Sequence, residues 1–213
     1  NIQETIEKLD AVLKDAWRHT KLTDGSRYEF TDEFFVFHMF AHMSYHFLGG
    51  GCGIKSLMDI WVMEHRMGVT YESARELLEK AGIYRFAAEI SKLAEICFSD
   101  KPKDKFSDTI LSYIFSGGVY GTFQNKMTVM KSNDKSTVKY LLKRLFMPYK
   151  SMVIIYPILK KLPFLLPFCW VARFFKMLFE GKSKSALGEI KTANNVTDDQ
   201  IGVIVQMREY LGL

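Results

Sequence analysis

The chain has 213 residues, of which 48% are hydrophobic and 14% are aromatic, and it carries a formal net charge of +5. This composition excludes a disordered polypeptide and suits one globular domain or one and a half. Three cysteines, at positions 52, 97 and 169, are too few and too scattered for a disulfide framework. They predict free thiols in a reducing compartment, and therefore a cytoplasmic protein.

Helical periodicity dominates the first part of the chain. Residues 1–20 predict a helix, because apolar residues recur at spacings of three and four. They are Ile2, Ile6, Leu9, Leu13 and Trp17. A turn is predicted at 23–26 and a short extended strip near 26–30. Thr31 can cap the next helix, which should run to Leu48 and is so apolar that we expect it to be central and buried.

The later pattern is also helical. Further helices are predicted over 54–67, 70–81, 83–99, 106–115 and 133–147, and from Thr197 to Gly212. The longest uncharged run in the apolar part, 162–172, is shorter than the roughly 20 residues that span a bilayer. We predict an all-α fold, a bundle of about eight to ten helices. It is divided into a helical domain at 1–130 and a basic, apolar extension at 131–213, or it forms one continuous domain.

The positive charge is concentrated in one block. Residues 135–179 hold nine Lys or Arg and no Asp or Glu, whereas the remainder holds 20 basic and 24 acidic residues. The block is compatible with an anionic membrane surface, and so with a protein peripheral to a membrane, or with a nucleic acid. The simplest interpretation is a solvated helix face whose apolar side packs on a further domain. We expect no nucleic acid partner.

Three histidines follow one another at intervals of four in the second helix. His38, His42 and His46 share one face, but the outer two are about 12 Å apart along the axis. Zinc holds its nitrogen ligands at about 2 Å, so the three cannot bind one ion, and no metal site is predicted in this chain. Two interpretations stay open: hydrogen-bonded histidines on a buried helix, and a histidine face that borders an active site in a partner domain.

A glycine-rich loop follows this helix. Residues 49–56 resemble a Walker A loop, yet Ile54 stands before Lys55 and the loop follows a helix, where a P-loop follows a strand. We therefore exclude a P-loop. Backbone N–H groups at the next helix start, beside Lys55, would suit an anion. The alternative is a tight helix–helix turn. Lys55 and Asp59, four residues apart, are predicted to pair.

Together these motifs resemble an uncharacterised bacterial nucleotidyltransferase family of the polymerase-β-like superfamily. The resemblance rests first on the segment from Tyr28 to Phe34, the three histidines, the glycine loop and Asp59. It continues over 116–121, 146–148, 156–157 and 166–173. One departure is Lys55, where the family often has arginine, because lysine lacks the bidentate fork of arginine.

The resemblance implies an enzyme of which this chain is the helical C-terminal part. In such proteins an N-terminal domain carries a Gly-Ser or Gly-Gly turn and an Asp-x-Asp pair that holds Mg²⁺. That domain would be the partner of this chain and would transfer NMP from NTP to an acceptor not identified by sequence. Mg²⁺ and NTP are expected only with it, and no catalytic residue is expected here. The first residues already follow a helical pattern, so we expect the chain to be part of a longer protein.

The resemblance also implies a set of pocket residues. They are His38, His42, His46, Gly51, Gly53, Lys55 and Asp59. The histidine face and Lys55 would border the nucleotide or acceptor pocket, and Asp59 would orient Lys55. The alternative function is a non-enzymatic helical binding or scaffold module, which contacts anionic partners or a membrane surface through 135–179.

Overall fold

The computed structural model describes residues 2–99, 101–117, 125, 127–129, 146–179 and 196–213. Helices dominate these residues, and the sheet among them is a two-stranded antiparallel hairpin. The predicted all-α class with a short extended strip is therefore confirmed. Across the described ranges, every helix is too short or too polar to cross a bilayer.

The elements follow one another with short connections. The chain begins with helix α1, Ile2–Leu13, and a hairpin made of β1, Thr20–Asp24, and β2, Arg27–Phe30. The helices that follow are α2 (Asp32–Leu48), α3 (Ile54–Val62), α4 (Arg75–Lys80), α5 (Tyr84–Phe98), α6 (Lys105–Gly117), α7 (Tyr149–Ile155), α8 (Leu166–Phe179) and α9 (Asp198–Leu211). Short 3₁₀ or π turns lie at Ala16–His19, Met63–Met67, Tyr71–Ala74, Pro157–Lys160 and Pro163–Leu165.

Helix α1 is shorter than predicted. It ends at Leu13, and Trp17, which the periodicity places on the buried face, is 77% exposed. The chain leaves the helix because Thr20 pairs with Phe30 across the hairpin and the Thr31 N–H donates to the His19 carbonyl. The extended strip near 26–30 is confirmed as β2. Its partner β1 is missed by the sequence pattern.

Helix α2 is central to the core, as predicted. The Thr31 side-chain oxygen caps it by accepting a hydrogen bond from the Phe34 N–H. The helix contacts α1, α3, α4 and α5. Phe34, Phe37 and Phe40 are completely buried in these contacts. Burying an aromatic side chain of this size stabilises the fold by roughly 1.5–3 kcal/mol, so α2 is the element on which the other helices assemble.

The last helix returns to this core. Thr197 and Gln200 form a capping box at the start of α9, and Ile204, Met207 and Leu211 join the main hydrophobic cluster. Helices α7 and α8 instead pack around a small cluster of their own, centred on Met152. The predicted domain boundary at 130/131, and residues 133–145 of the predicted basic helix, lie outside the described residues. Both stay predictions.

Glu64 is a half-buried acid between the π turn after α3 and helix α5. Its carboxylate accepts a hydrogen bond of 2.5 Å from the Ser91 hydroxyl. Burial raises the pKa of Glu64 above the ordinary value of 4.5, and hydrogen bonds from Ser91 and from the Tyr71 backbone oppose the rise. A raised pKa means that the folded state prefers the protonated acid. Ionised Glu64 therefore lowers stability as the pH rises through that pKa.

Replacing Glu64 with glutamine is expected to remove this pH dependence. The free energy of unfolding of Glu64→Gln should rise relative to wild type as the pH increases above about 4, because only the wild type acquires the buried charge. Ser91→Ala is a useful second variant, because it removes the hydroxyl that stabilises the Glu64 carboxylate. The loss of stability with rising pH should therefore be larger in this variant. Urea unfolding at several pH values measures both effects. Parallel pH profiles for wild type and Glu64→Gln would contradict the assignment.

Candidate functional site

The three histidines of α2 lie on its outer face. His38 and His42 are exposed and His46 is half-buried, while the opposite side of the helix faces the core. The helix is central, and His42 and His46 are hydrogen-bonded, as one interpretation predicts, but the face that carries the histidines is not buried. The neighbouring helices cover the side of α2 that carries the phenylalanines. The side that carries the three histidines, spaced four residues apart, faces solvent. Water can then satisfy the imidazole nitrogens without the cost of burying a polar group.

His42 and His46 form a close pair. Their Nε2 atoms lie 3.0 Å apart, and the ring planes are nearly perpendicular, with centroids 4.6 Å apart. One ring must donate and the other accept, because two cationic imidazoles would offer only donors. Burial, and to a lesser extent the neighbouring His42, lowers the pKa of His46. His46 is therefore mostly neutral at pH 7.

The glycine loop reverses the chain between α2 and α3. The Gly49 N–H donates to the carbonyls of Tyr45 and His46, and the Gly51 N–H also reaches the His46 carbonyl, at 3.0 Å. Gly50 and Gly51 have φ angles of 119° and 138°. Residues with a Cβ rarely adopt these angles. The glycines thus make the tight turn that brings the start of α3 beside the end of α2.

Lys55 and Asp59 form the predicted pair on α3. The Lys55 Nζ lies 3.0 Å from the Asp59 Oδ2. The lysine side chain is 73% exposed, and an exposed pair of this kind contributes at most about 1 kcal/mol to stability. Its importance is positional. The carboxylate orients the ammonium group at the start of α3.

A pocket of about 190 Å³ lies between α2 and the start of α3. It is lined by Met39, His42, His46, Gly53, Lys55, Ser56 and Asp59. Five of the seven predicted residues therefore meet here. His38 lines a neighbouring cavity of about 270 Å³ beside α1, which it shares with His42. Gly51 is buried in the loop and is not among the lining residues.

Two lining residues are not predicted from the sequence. Met39 precedes His42 by three residues, and Ser56 precedes Asp59 by three. Residues three apart are neighbours on a helix surface. Helical spacing from the predicted residues could therefore have found both of them.

Cys52 lies in the glycine loop but is not a nucleophile. Its side chain is 1% exposed. Burial raises the pKa of its thiol to about 12, so the thiol stays protonated at neutral pH and is unreactive. The three cysteines are free thiols, as predicted. The chemistry of the loop therefore comes from Lys55, the histidine pair and the backbone.

Two larger cavities lie elsewhere. One, of about 690 Å³, is lined by aromatic residues of the hairpin region together with Glu29 and Asp32. The other, of about 600 Å³, lies between α6 and α9 and includes Asp108 and Asp199. Within the part of the chain that the structure describes, neither lining includes a lysine, arginine or histidine. The first wall combines residues 16–35 with Met67, and the second combines residues of α6 with residues of α9, so the spacing within one helix does not reveal them.

Metal binding also depends on the grouping of possible ligands. Among the residues that it describes, no three His, Cys, Asp or Glu side chains are grouped so that they could hold a metal ion. Comparisons of the chain with protein-family models, curated proteins and solved structures found no match. The resemblance to nucleotidyltransferases stays a prediction, and a function has to be inferred from the pocket itself.

Proposed function

We propose that the chain is the helical part of a nucleotidyltransferase, and that the pocket between α2 and α3 binds a phosphate group of the nucleotide or of the acceptor. The catalytic domain, with its Asp-x-Asp pair and Mg²⁺, would lie outside these 213 residues. One observation carries the proposal: His42, His46 and Lys55 line the same pocket at the N-terminus of a helix.

The donors around this pocket suit a phosphate. Lys55 supplies an ammonium group, which uses one of its three N–H donors for Asp59. The histidine pair can present ring N–H groups, and its balance of donors and acceptors adapts to the ligand. Gly53 is the N-cap of α3, and the first N–H groups of a helix favour an anion. The described linings of the two larger cavities each include two carboxylates and no cationic side chain, so they suit an anion poorly.

The size of the pocket limits what it can hold. A volume of about 190 Å³ is below the roughly 300 Å³ at which sites for small organic ligands begin. It fits one phosphate group better than an entire nucleotide. The base and sugar would therefore contact another surface, as expected for a pocket wall that a further domain completes.

Pyrophosphate is expected to bind to this chain, and Lys55→Ala is expected to weaken that binding tenfold or more. A hydrogen bond to a charged group is worth roughly 1.5–3 kcal/mol, which corresponds to at least about tenfold in affinity. Isothermal titration calorimetry measures the change. Lys8→Ala is the matched control, because Lys8 forms the same pair at spacing four with Glu4 on α1. If both substitutions weaken binding equally, or if the wild type does not bind pyrophosphate, the pocket is not a phosphate site.

The enzymatic part of the proposal has a separate test. The gene sequence upstream of Asn1 should encode a Gly-Ser or Gly-Gly turn followed by Asp-x-Asp, within about one domain length of 100–150 residues. In that longer protein, His42→Ala and Lys55→Ala should lower nucleotidyl transfer. If pyrophosphate binds but the upstream sequence lacks the motif, the pocket belongs to a binding module and the enzyme proposal fails alone.

A further inference from the structure

Residues 146–176, here called the basic apolar segment, expose an unusual number of large apolar side chains. Eleven of them are exposed, and five of the most accessible are Ile154, Ile158, Phe164, Phe168 and Val171. A soluble monomer rarely exposes contiguous apolar surface beyond a few hundred Å² unless something binds there. The exposure of Phe164 and Phe168 reaches 69% each. Single apolar residues scattered over a protein surface are common, but eleven exposed ones within one short segment are not.

The exposed side chains belong to a folded unit. Met152, Leu159 and Cys169 form its small core. The Trp170 indole N–H donates to the Met147 carbonyl at 2.9 Å, and the Tyr149 hydroxyl donates to the Leu159 carbonyl at 2.8 Å. In addition, α7 contacts the first 3₁₀ turn and α8, and the second 3₁₀ turn contacts the first turn and α8. The unit therefore holds its apolar side chains outward while its own core is already filled.

The same segment carries only positive formal charges in its sequence. Its charged residues are Lys150, Lys160, Lys161, Arg173 and Lys176, and it contains no Asp or Glu. A surface that is both apolar and cationic requires an anionic partner that also accepts apolar side chains. The interface of a bilayer with anionic lipids has both properties.

We propose that the basic apolar segment binds the surface of an anionic lipid bilayer. Helix α8 has 14 residues, fewer than the roughly 20 that span a bilayer, so it would lie in the plane of the interface. Each cation near an anionic leaflet strengthens binding by about fivefold. The apolar side chains add the contact with the acyl region that a purely electrostatic site lacks.

Two other partners fit these observations less well. A nucleic acid would use the cations, but its phosphate backbone gives no place for Ile154 or Ile158. A groove in another protein selects regular helical spacing of its anchors. Pro157 and Pro163 each begin a 3₁₀ turn, so two of the four elements of this segment are 3₁₀ turns. A fluid interface accepts such an irregular surface.

Co-sedimentation with vesicles tests the proposal. The chain should pellet with vesicles of phosphatidylcholine mixed with phosphatidylserine, and should stay in solution with phosphatidylcholine alone. Added salt should weaken the binding, because it screens the exposed charges. Pelleting to the same extent with both vesicles, or with neither, would overturn the proposal. The outcome does not depend on the phosphate pocket, which lies on other elements.

Matched pairs of substitutions separate the apolar from the electrostatic contribution. Phe164→Ser with Phe168→Ser should lower the fraction bound at least tenfold, whereas Trp17→Ser, which also changes an exposed aromatic residue, should leave it unchanged. Lys160→Glu with Lys161→Glu should abolish binding, whereas Lys14→Glu with Lys80→Glu, which makes the same charge change outside the segment, should leave it unchanged. Circular dichroism checks that each variant is folded. Equal losses in the control pairs would contradict a defined surface.

Duplex DNA serves as the competing probe. If it binds the chain, and if that binding is lost in the lysine pair but kept in the phenylalanine pair, the partner is a nucleic acid and the lipid proposal fails. If the phenylalanine pair retains full vesicle binding, the apolar side chains are not part of the interface, and the proposal fails as well. Loss of vesicle binding in both pairs, with little affinity for DNA, supports it.

Discussion

Phe40→Ala is expected to lower the free energy of unfolding by about 3–5 kcal/mol. Phe40 is completely buried at the centre of α2, within the cluster that joins α1, α3, α5 and α9. Truncation removes the transfer free energy of the ring and leaves a cavity in a closely packed core. Because domains are stable by only about 5–15 kcal/mol, this loss takes a large share of the total. Urea unfolding followed by circular dichroism measures it.

Tyr45→Ala on the same helix is the control for this prediction. Tyr45 is 57% exposed, so its removal should change the free energy of unfolding by less than about 0.5 kcal/mol. The two substitutions have similar intrinsic effects on helix formation and differ in burial. A similar loss for both would show that α2 is not oriented as described, with its histidine side in solvent.

Gly51→Ala is expected to lower the free energy of unfolding by about 1–3 kcal/mol. The φ angle of Gly51 is 138°, in a region that is essentially restricted to glycine. A Cβ would force the loop to change its path between α2 and α3. Since this loop sets the position of Lys55 relative to the histidine pair, pyrophosphate binding should weaken along with stability. Urea unfolding and calorimetry measure the two effects.

Gly202→Ala provides the matched control with the opposite sign. Gly202 lies inside α9, and a Cβ at this position meets open space. Alanine should therefore stabilise the helix by roughly 0.5–1 kcal/mol, because glycine loses more backbone freedom on folding. If Gly51→Ala raises the free energy of unfolding as Gly202→Ala does, the loop does not need the positive φ angle at position 51. Glycine would then not be required there.

Much of the candidate site follows from the sequence. The four-residue spacing of His42 and His46 correctly places the two rings together, and the same spacing correctly pairs Lys55 with Asp59. Both results depend only on the regular geometry of a helix. His38 obeys the same spacing but lines a different cavity. Whether a helical residue lines a pocket depends on where the next element packs. The spacing of residues on one helix cannot predict this.

The exposure of the histidines is the larger correction. Helix α2 is apolar enough to predict burial on every side, yet its histidine side faces solvent. The periodicity of one helix identifies its polar strip, but it does not tell how much of the circumference the neighbouring helices cover. A similar limit applies to Trp17, which continues the apolar spacing of α1 but lies beyond the end of that helix.

The sequence by itself determined where several helices begin and end. Thr31, the capping box of Thr197 and Gln200, and the left-handed Gly82 act through hydrogen bonds or backbone angles within a few residues. Only the tertiary structure decided that Thr20 pairs with Phe30 and that the histidine pair meets Lys55. The physical reason is that caps and turns act within one element, whereas a strand pair or a pocket between two helices depends on how separate elements pack against each other.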